Sequence, residues 1–270
     1  MNNGITHDFT GMTFVITGGT RGIGATTSEL AASYGANVVV SGTNADAGAE
    51  VVAKIAANGG SAAFVACDVT EADQVMDLMA SAADTFGGID VLLNNAGVHE
   101  SALTSTLSIE ELDIDVWDRV LAVNLRGPWL CSKFAVPFLR RSERNPSIIN
   151  TGSTGSLLGF PGSLAYGASK GGLKLLTKNL AVELARYGIR ANCVCPGATE
   201  TDMVADYLAA AEDQDAARRS MTATHLIPRI GRPDEIAHAL CFLASEQACF
   251  VNGVDWLVDG GALAWRGANA

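Results

Sequence analysis

Short apolar runs alternate along the chain with longer, alanine-rich segments. The runs are rich in β-branched residues and lie at 12–17, 37–41, 62–66, 90–94, 147–150, 189–195 and 255–259. Runs of this length and composition predict strands. They are continuously apolar rather than alternating, which is typical of parallel strands that have helices on both faces.

The segments between the runs predict helices. Four of these segments end in glycine, the residue preferred just after a helix, at 35, 59/60, 87/88 and 188. Repeated strand–helix–strand succession implies right-handed crossovers. We therefore predict an α/β fold, a three-layer doubly wound parallel sheet of the Rossmann type with about seven strands. No proline- or serine-rich linker interrupts the pattern, so we predict a single domain over residues 1–270.

One region departs from this alternation of strands and helices. Residues 197–232 form a long connection with helical content and no apolar run. It follows the sixth run, at the edge of the sheet where open α/β folds bind ligands. Long excursions at this place are often lids, so we predict a substrate lid at about 197–232. A helical insert without such a role is the alternative.

Composition and charge exclude several classes of protein. The chain has 270 residues, of which 48% are hydrophobic and 17% charged, as expected of a packed globular protein. Its net charge of −11 argues against nucleic acid or an anionic membrane as a partner, because both require basic surface. No apolar run reaches the ~20 residues that span a bilayer. The N-terminus lacks the apolar core of a signal peptide.

The spacing of the cysteine and histidine residues indicates a reducing compartment and does not indicate a metal site. The six cysteines include no C-x-x-C pair and lie mostly in apolar runs, which predicts buried free thiols in a reducing, cytoplasmic environment. The four histidines do not have the spacing of metal ligands, so we predict no metal site.

A glycine-rich turn follows the first predicted strand and opens a helix. In "TGGTRGIG", Gly18, Gly22 and Gly24 leave the backbone free of side chains. Exposed amides and the helix dipole can then hold a pyrophosphate. The spacing is G-x-x-x-G-x-G rather than the more familiar G-x-G-x-x-G. The position between strand and helix is what makes the motif indicative of a dinucleotide site.

The stretch "YGASK" places Tyr166 four residues before Lys170. On a helix these two side chains share a face. An ammonium ~4 Å from the phenol oxygen would contribute about 4 kcal/mol at an effective dielectric constant near 20. We therefore expect Lys170 to lower the pKa of Tyr166 and bring its ionisation towards neutral pH. Two unrelated surface residues are the alternative.

These motifs together resemble the short-chain dehydrogenase/reductase family. "TGGTRGIG", "NNAG" at 94–97, Ser153, "YGASK" and "PGATET" at 196–201 occur in that family's order and spacing. The resemblance is greatest to the subgroup of ~250 residues that contains the 3-oxoacyl-carrier-protein reductases, and it covers residues 10–262. It implies an NAD(P)-dependent oxidoreductase that transfers a hydride between nicotinamide C4 and a carbonyl or secondary alcohol.

The resemblance also implies four catalytic residues. Tyr166 would be the general acid or base, and Ser153 would hydrogen-bond the substrate oxygen. Lys170 would also contact the nicotinamide ribose. Asn124, in "AVNLRG", matches an amide that accompanies a helix kink in relatives and holds a water leading to the lysine.

Cofactor contacts are implied at further positions. Asp68 resembles the residue that addresses the adenine, although it could equally be an N-cap or turn aspartate before the helix at 71. For Asn94 a structural role that ties neighbouring strands comes first. The predicted cofactor-binding residues are Gly18, Thr20, Arg21, Gly22, Ile23, Gly24, Thr43, Asp68, Val69, Asn95, Ala96, Gly97, Tyr166, Lys170, Pro196, Gly197, Thr199 and Thr201.

The end of the second predicted strand bears on the choice of cofactor. Gly42 stands where NAD-preferring relatives carry an acid that holds the ribose 2′-hydroxyl. Its absence removes a charge that would repel a 2′-phosphate. Thr43, however, replaces the arginine of many NADP users, and Arg21 occurs with either preference. We favour NADP(H) over NAD(H), with an NAD-preferring alcohol or diol dehydrogenase as the alternative.

The substrate is expected to be a small carbonyl or alcohol, mainly apolar. We predict that His99 is a solvent-facing loop residue rather than a substrate contact. The resemblance also implies a homotetramer, because members of the family usually associate through two long helices and the C-terminal strand with its helix.

Two alternative functions are less consistent with the sequence. A non-catalytic nicotinamide-binding sensor would be expected to lose Tyr166 or Lys170, and both are present. Epimerases and dehydratases of the family usually carry a larger C-terminal substrate domain, for which this chain is too short.

The pocket is predicted to be lined by the loop before Tyr166, by the lid from Met203 to about His225, and by the stretch after "NNAG", which is Val98, His99 and Glu100. The residues that would make it mainly apolar are Leu157, Leu158, Phe160, Met203, Val204 and Leu208.

Overall fold

A computed structural model describes residues 7–209 and 213–265. Seven parallel strands form one sheet in the order β3-β2-β1-β4-β5-β6-β7. The predicted doubly wound α/β fold is confirmed. The strands are β1 Thr13–Thr17, β2 Asn37–Gly42, β3 Ser61–Ala66, β4 Val91–Asn94, β5 Ser147–Thr151, β6 Arg190–Pro196 and β7 Asp255–Val258.

Helices connect the strands and cover both faces of the sheet. A π-helical segment at 122–126 joins α4 to α5, and short 3₁₀ turns lie at 100–102, 154–156, 185–187 and 246–248. The predicted glycines at the helix ends, at 35, 59, 87 and 188, all have left-handed backbone. The helices are α1 Gly22–Ser33, α2 Ala45–Ala57, α3 Ala72–Phe86, α4 Ile114–Leu121, α5 Gly127–Leu139, α6 Leu164–Leu184, α7 Asp202–Ala209, α8 Gln214–Thr222 and α9 Pro233–Ala244.

Two hydrophobic clusters lie on opposite faces of the sheet. Phe14 and Ile16 of β1 belong to one cluster, and Val15 between them belongs to the other. This alternation follows the pleat, which points successive side chains to opposite faces. Because helices cover both faces, every residue of β1 is buried. That explains the continuously apolar runs in the sequence.

The strand order places a crevice where β1 and β4 end. From β1 the chain moves outward in one direction to β2 and β3, and from β4 it moves in the other direction to β7. Such a reversal opens a ligand site at the carboxyl ends of the strands. The predicted structural role of Asn94 is confirmed, since its side-chain amide donates to Asn150 Oδ1 of β5 at 2.8 Å.

The excursion at 197–232 contains α7 and α8, while residues 210–212 of the predicted lid lie outside the described residues. Its two ends meet in a short parallel bridge between Thr199 and Gly231. Helix α7 lies against the 3₁₀ turn at 100–102. The helical content is as predicted, and its closing movement remains a prediction.

Five of the six cysteines are buried and all six are free, but Cys249 is exposed. The prediction of buried thiols is therefore wrong for Cys249, which follows a 3₁₀ turn at the surface and lies neither in a strand nor on the buried face of a helix. Among the described residues, no helix is both long and apolar enough to span a membrane.

Candidate active site

The glycine-rich turn brings backbone against backbone at the end of β1. A Cβ atom on Gly24 would lie 2.1 Å from the carbonyl oxygen of Gly18, and one on Gly18 would lie 2.7 Å from Ala96 Cα. No side chain fits at either distance. Gly18 and Gly22 also have positive φ, +60° and +52°, which glycine adopts without strain.

The first turn of α1 is left open to an anion. Its N-cap residue, Arg21, makes no side-chain capping bond, and the first turn carries no acidic residue. The amides there are those that usually hold phosphate oxygens. Thr201 closes one side, because a Cβ on Gly22 would lie 3.2 Å from its methyl group. This cradle fits the pyrophosphate of a dinucleotide. Thr20 lies in the loop before α1, and Ile23 lies in the first turn of that helix.

The "NNAG" segment is fixed against this turn. Asn95 donates its side-chain amide to the Gly18 carbonyl at 3.0 Å. The backbone N–H groups of Asn95 and Ala96 donate to Thr17 Oγ1 at 3.1 and 3.2 Å. The structure therefore brings these two predicted cofactor-binding residues together with the glycine turn.

The region predicted to meet the ribose 2′ position is bordered by Thr20 and carries no acidic side chain at Gly42 or Thr43. A Cβ on Gly42 would lie 2.9 Å from the Thr20 methyl group, and Thr43 is exposed. Arg21 forms an ion pair with Asp202 at 3.5 Å between two exposed side chains. Exposed pairs of this kind are weak, so the arginine can turn to another anion.

Asp68 follows β3 and is held within its own turn. Its carboxylate accepts from the Thr70 N–H and hydroxyl groups at 3.0 and 2.8 Å, and pairs with Arg119 at 3.0 Å. Burial opposes its ionisation, but these bonds prevail and lower its pKa. The turn interpretation is thus confirmed, although the N-cap of α3 is Glu71. Val69 beside it is buried and packs against Gly127.

The segment after β6 extends from the sheet towards the glycine turn. A Cβ on Gly197 would lie 2.9 Å from Asp259 Cα. Thr199 donates its hydroxyl to the Gly197 carbonyl at 3.0 Å, and Thr201 donates to the Thr199 carbonyl at 3.3 Å. Pro196, the last residue of β6, pairs with Val258 of β7.

Ser153 and Tyr166 come together as predicted. Ser153 follows β5 and accepts the Gly155 N–H at 3.0 Å. A Cβ on Gly155 would lie 3.4 Å from Ser153 Oγ and 3.5 Å from the Tyr166 ring. The two side chains therefore flank the same glycine at the carboxyl edge of the sheet.

Lys170 lies on the same face of α6 but turns towards the sheet. Its ammonium donates to the Thr151 carbonyl at 2.7 Å and is 5.6 Å from the centroid of the Tyr166 ring. Burial lowers the pKa of Lys170 to about 8. The amine lies beside Gly97, where a Cβ would be 3.6 Å from Nζ.

The expectation that Lys170 lowers the pKa of Tyr166 is wrong for the protein alone. Burial raises the pKa of Tyr166, and the side-chain hydrogen bond with Ser153 only partly opposes it. The reason is the length of the lysine stem. Helical spacing places the two side chains on one face, but the amine reaches past the phenol to a carbonyl of β5.

Asn124 is buried within the π-helical segment, not exposed on a regular helix. Its Oδ1 accepts the Val98 N–H, and its Nδ2 donates to the Val98 carbonyl, both at 2.8 Å. Nδ2 also lies 3.1 Å from Ser169 Oγ. A π-helical turn is a common cause of a kink and recurs at functional sites.

The sequence predicts the chain after "NNAG" as lining of the substrate pocket, and the structure gives two of its residues contacts that this prediction did not include. His99 is not solvent-facing, so that prediction is wrong: its ring centroid is 4.9 Å from that of Tyr166, and its Nε2 is 3.0 Å from Ser163 Oγ. Glu100 is 1% exposed and accepts backbone N–H groups of α6. The only available signal was their place directly after a motif at the ligand edge of the sheet.

Apolar side chains are exposed around this edge. Among the predicted lining residues, four are exposed, namely Leu157, Leu158, Phe160 and Met203. Leu208 is buried, so it does not offer surface to a ligand. Exposed large apolar side chains in one region are typical of a binding surface.

Doubly wound sheets with such a phosphate cradle are typical of dinucleotide-dependent enzymes. The profile of a family described as enoyl-(acyl carrier protein) reductase matches residues 18–262. The chain is 39% identical to cis-4-hydroxycyclohexanecarboxylate dehydrogenase of Sinomonas cyclohexanicum, over 92% of this chain and 94% of the relative. It is 37% identical to 3beta-hydroxysteroid dehydrogenase 1 of Eggerthella lenta, over 96% of this chain and 97% of the relative.

A solved structure of a dehydrogenase/reductase has the same fold. A dehydrogenase/reductase from Sinorhizobium meliloti superposes with a TM-score of 0.85 at 34% identity, covering 94% of this chain and 96% of that one. The chain belongs to the short-chain dehydrogenase/reductase family. It is an NAD(P)-dependent oxidoreductase that transfers a hydride between nicotinamide and a carbonyl or secondary alcohol.

Proposed function

We propose that the protein interconverts a cyclic secondary alcohol and its ketone, with Tyr166 as the group that gives and takes the proton. The observation that carries this proposal is the convergence of three groups at the carboxyl edge of β5. Ser153 and Tyr166 flank Gly155, and the buried Lys170 amine lies one turn along the same helix. When bound, the nicotinamide supplies or accepts the hydride.

Each side chain has one task in this proposal. Tyr166 donates its proton to the substrate oxygen during reduction and accepts it during oxidation. Its raised pKa keeps it protonated at neutral pH, as an acid requires. The Ser153 hydroxyl donates a hydrogen bond to the same oxygen and so stabilises the charge that develops there.

Lys170 and Asn124 would act around that pair. With a pKa of about 8, Lys170 is mostly protonated at neutral pH. Its donors are available to the ribose of the cofactor, and once the oxidised cofactor is bound its charge would act together with that of the nicotinamide to favour the ionised phenol during oxidation. Asn124 fixes Val98 by two bonds, which holds the segment next to the amine. The proposed role of its amide in a proton path through water remains a prediction.

The substrate class follows from the surface and from the relatives. The exposed apolar residues 157, 158 and 160 lie in the loop that leads into the helix of Tyr166. The two named relatives, by their names, act on hydroxyl groups of a cyclohexane ring and of a steroid. A ring-bearing apolar alcohol suits both observations. A screen of cyclic alcohols, steroids, sugars and β-keto esters with each cofactor tests this, and activity confined to sugars would exclude it.

For the cofactor we propose NADP(H). The Gly42 position carries no carboxylate, and Arg21 is bound only by an exposed pair with Asp202. The cofactor-binding residues would be those of the glycine turn, the "NNAG" segment and the segment after β6. A higher kcat/KM with NADH than with NADPH would contradict the preference.

The substitution Gly42→Asp tests the 2′ site. A carboxylate there repels a 2′-phosphate, so kcat/KM with NADPH is expected to fall by about a hundredfold, while that with NADH is retained. Gly42→Asn is the matched control, since it meets Thr20 in the same way without charge. Equal losses in both variants would show that crowding rather than charge is responsible.

We also propose a homotetramer in a reducing, cytoplasmic environment, consistent with six free thiols. Apolar side chains stand exposed on the two long helices, including Trp129 on α5 and Val182 on α6, which are 44% and 81% exposed. A groove of about 520 Å³ lies beside Trp129 and is also lined by Leu125 and Leu176. Phe250, before β7, is fully exposed.

Sedimentation velocity tests this assembly. The wild type is expected to sediment as a tetramer at micromolar concentration, and Val182→Asp to dissociate it, since burying an unpaired carboxylate is costly. Ile109→Asp changes an equally exposed residue in a loop and serves as the control. A monomeric wild type would contradict the proposal.

A further inference from the structure

Glu100 is a buried carboxylate that the proposed proton transfer does not use. It is 1% exposed and lies in the loop after β4, far along the chain from the helix that carries Tyr166. Burying a carboxylate costs free energy unless its partners compensate. Its partners therefore indicate what it contributes to the site.

Those partners are the first free amides of α6. Glu100 accepts the Ala165 N–H at 2.9 Å through Oε1 and the Tyr166 N–H at 3.1 Å through Oε2. Ser163, the N-cap residue of α6, makes no capping bond of its own, and its hydroxyl is bonded to His99 instead. Glu100 thus supplies from another segment the acceptor and the negative charge that a helix start prefers.

The loop that carries Glu100 is fixed from its other side. Asn124 holds both backbone groups of Val98, two residues earlier. Contacts therefore run from the π-helical segment through Val98 and Glu100 to the backbone amide of Tyr166. This sets the start of α6, and with it the phenol, relative to the segment that neighbours the Lys170 amine.

Charged and titratable groups face Tyr166 from three elements. They are His99 and Glu100 from the loop after β4, Lys170 on α6 itself, and Cys195 from β6. Burial is the largest influence and raises the pKa of Tyr166, the hydrogen bond with Ser153 lowers it, and a negative charge on Glu100 or on Cys195 raises it further. Burial lowers the pKa of His99, so its ring is neutral at neutral pH.

We propose that Glu100 is a positioning residue for the proton transfer, whose carboxylate fixes the start of α6 and places a negative charge at the backbone of Tyr166. The proposal rests on the proposed role of Tyr166 as the acid–base group. It assigns to one side chain two separable effects, one of geometry and one of charge.

Two substitutions separate these effects. Glu100→Gln keeps an oxygen that both N–H groups can reach but removes the charge. We expect Tyr166 to ionise at a lower pH in this variant, and kcat/KM for alcohol oxidation to reach its plateau at a lower pH. Glu100→Asp keeps the charge, but its side chain is one methylene shorter, so the carboxylate lies farther from the N–H groups at the start of α6. We expect it to lose kcat by about tenfold, with unchanged affinity for the cofactor.

The readout for charge does not depend on turnover. Phenolate formation is followed by ultraviolet difference spectroscopy, and each variant is titrated with and without Tyr166→Phe so that the other tyrosines cancel. Glu110→Gln removes an exposed carboxylate from a nearby turn and should leave the titration unchanged.

An unchanged Tyr166 titration in folded Glu100→Gln protein would overturn the proposal. Should that variant not fold, wild-type kcat and titration in Glu100→Asp would overturn it instead. If the wild type oxidises no alcohol, the proposed function fails, while the titration still decides the effect of Glu100 on the phenol.

Discussion

Tyr166→Phe is expected to lower kcat for ketone reduction by about two to four orders of magnitude, the usual contribution of a positioned acid. The ring remains, so its contact with His99 is kept and the fold should be unaffected. The Kd of the cofactor should change by less than about twofold, because only the proton donor is removed. Steady-state kinetics and a fluorescence titration of cofactor binding measure the two quantities.

The matched control for this change lies at the other end of the same helical stretch. Tyr187→Phe makes the same substitution beside Arg140 and Arg186, far from the candidate site, and should leave kcat unchanged. Near-normal turnover in Tyr166→Phe would show that another group supplies the proton.

Lys170→Met is expected to damage both turnover and binding. It removes a buried charge with little change in volume, and with it the bond to the Thr151 carbonyl. The variant also lacks the proposed charged hydrogen bond from Lys170 to the cofactor ribose. Loss of such a bond, at 1.5–3 kcal/mol, corresponds to about a ten- to hundredfold weaker Kd for the cofactor. A further loss of kcat, about tenfold or more, is expected because the ionised phenol loses its neighbouring cation.

The pH dependence of the wild type adds a check on Lys170. Its pKa is lowered to about 8, so the ammonium is present below that pH and is lost above it. The affinity for the cofactor should therefore fall as the pH rises through about 8, and Lys170→Met should lack this fall. Lys174→Met, one turn further along α6, is the control that should keep it.

Most of the fold could be predicted because strands that are buried on both faces of the sheet appear in the sequence as continuously apolar runs. Each predicted strand ends within one residue of the observed strand, and the four predicted glycines end helices as expected. The meeting of Ser153 and Tyr166 was also predictable, since both follow the carboxyl end of β5. These features depend on local pattern and on sheet topology alone.

The details of the site could not be predicted for a different reason. Whether the Lys170 amine reaches the phenol or the Thr151 carbonyl depends on a flexible stem, and spacing along a helix does not determine its direction. The capping of α6 by Glu100 joins segments 65 residues apart. His99 resembles any loop histidine until the fold places it against Tyr166.

If Tyr166 moves the proton, positive charge brought into the site must make its ionisation possible. Ultraviolet titration of Tyr166 in the protein alone, and in the protein saturated with oxidised cofactor, measures this effect. We expect ionisation at a lower pH in the saturated protein. Identical titration curves, or a curve that Tyr166→Phe leaves in place, would contradict the claim that Tyr166 moves the proton.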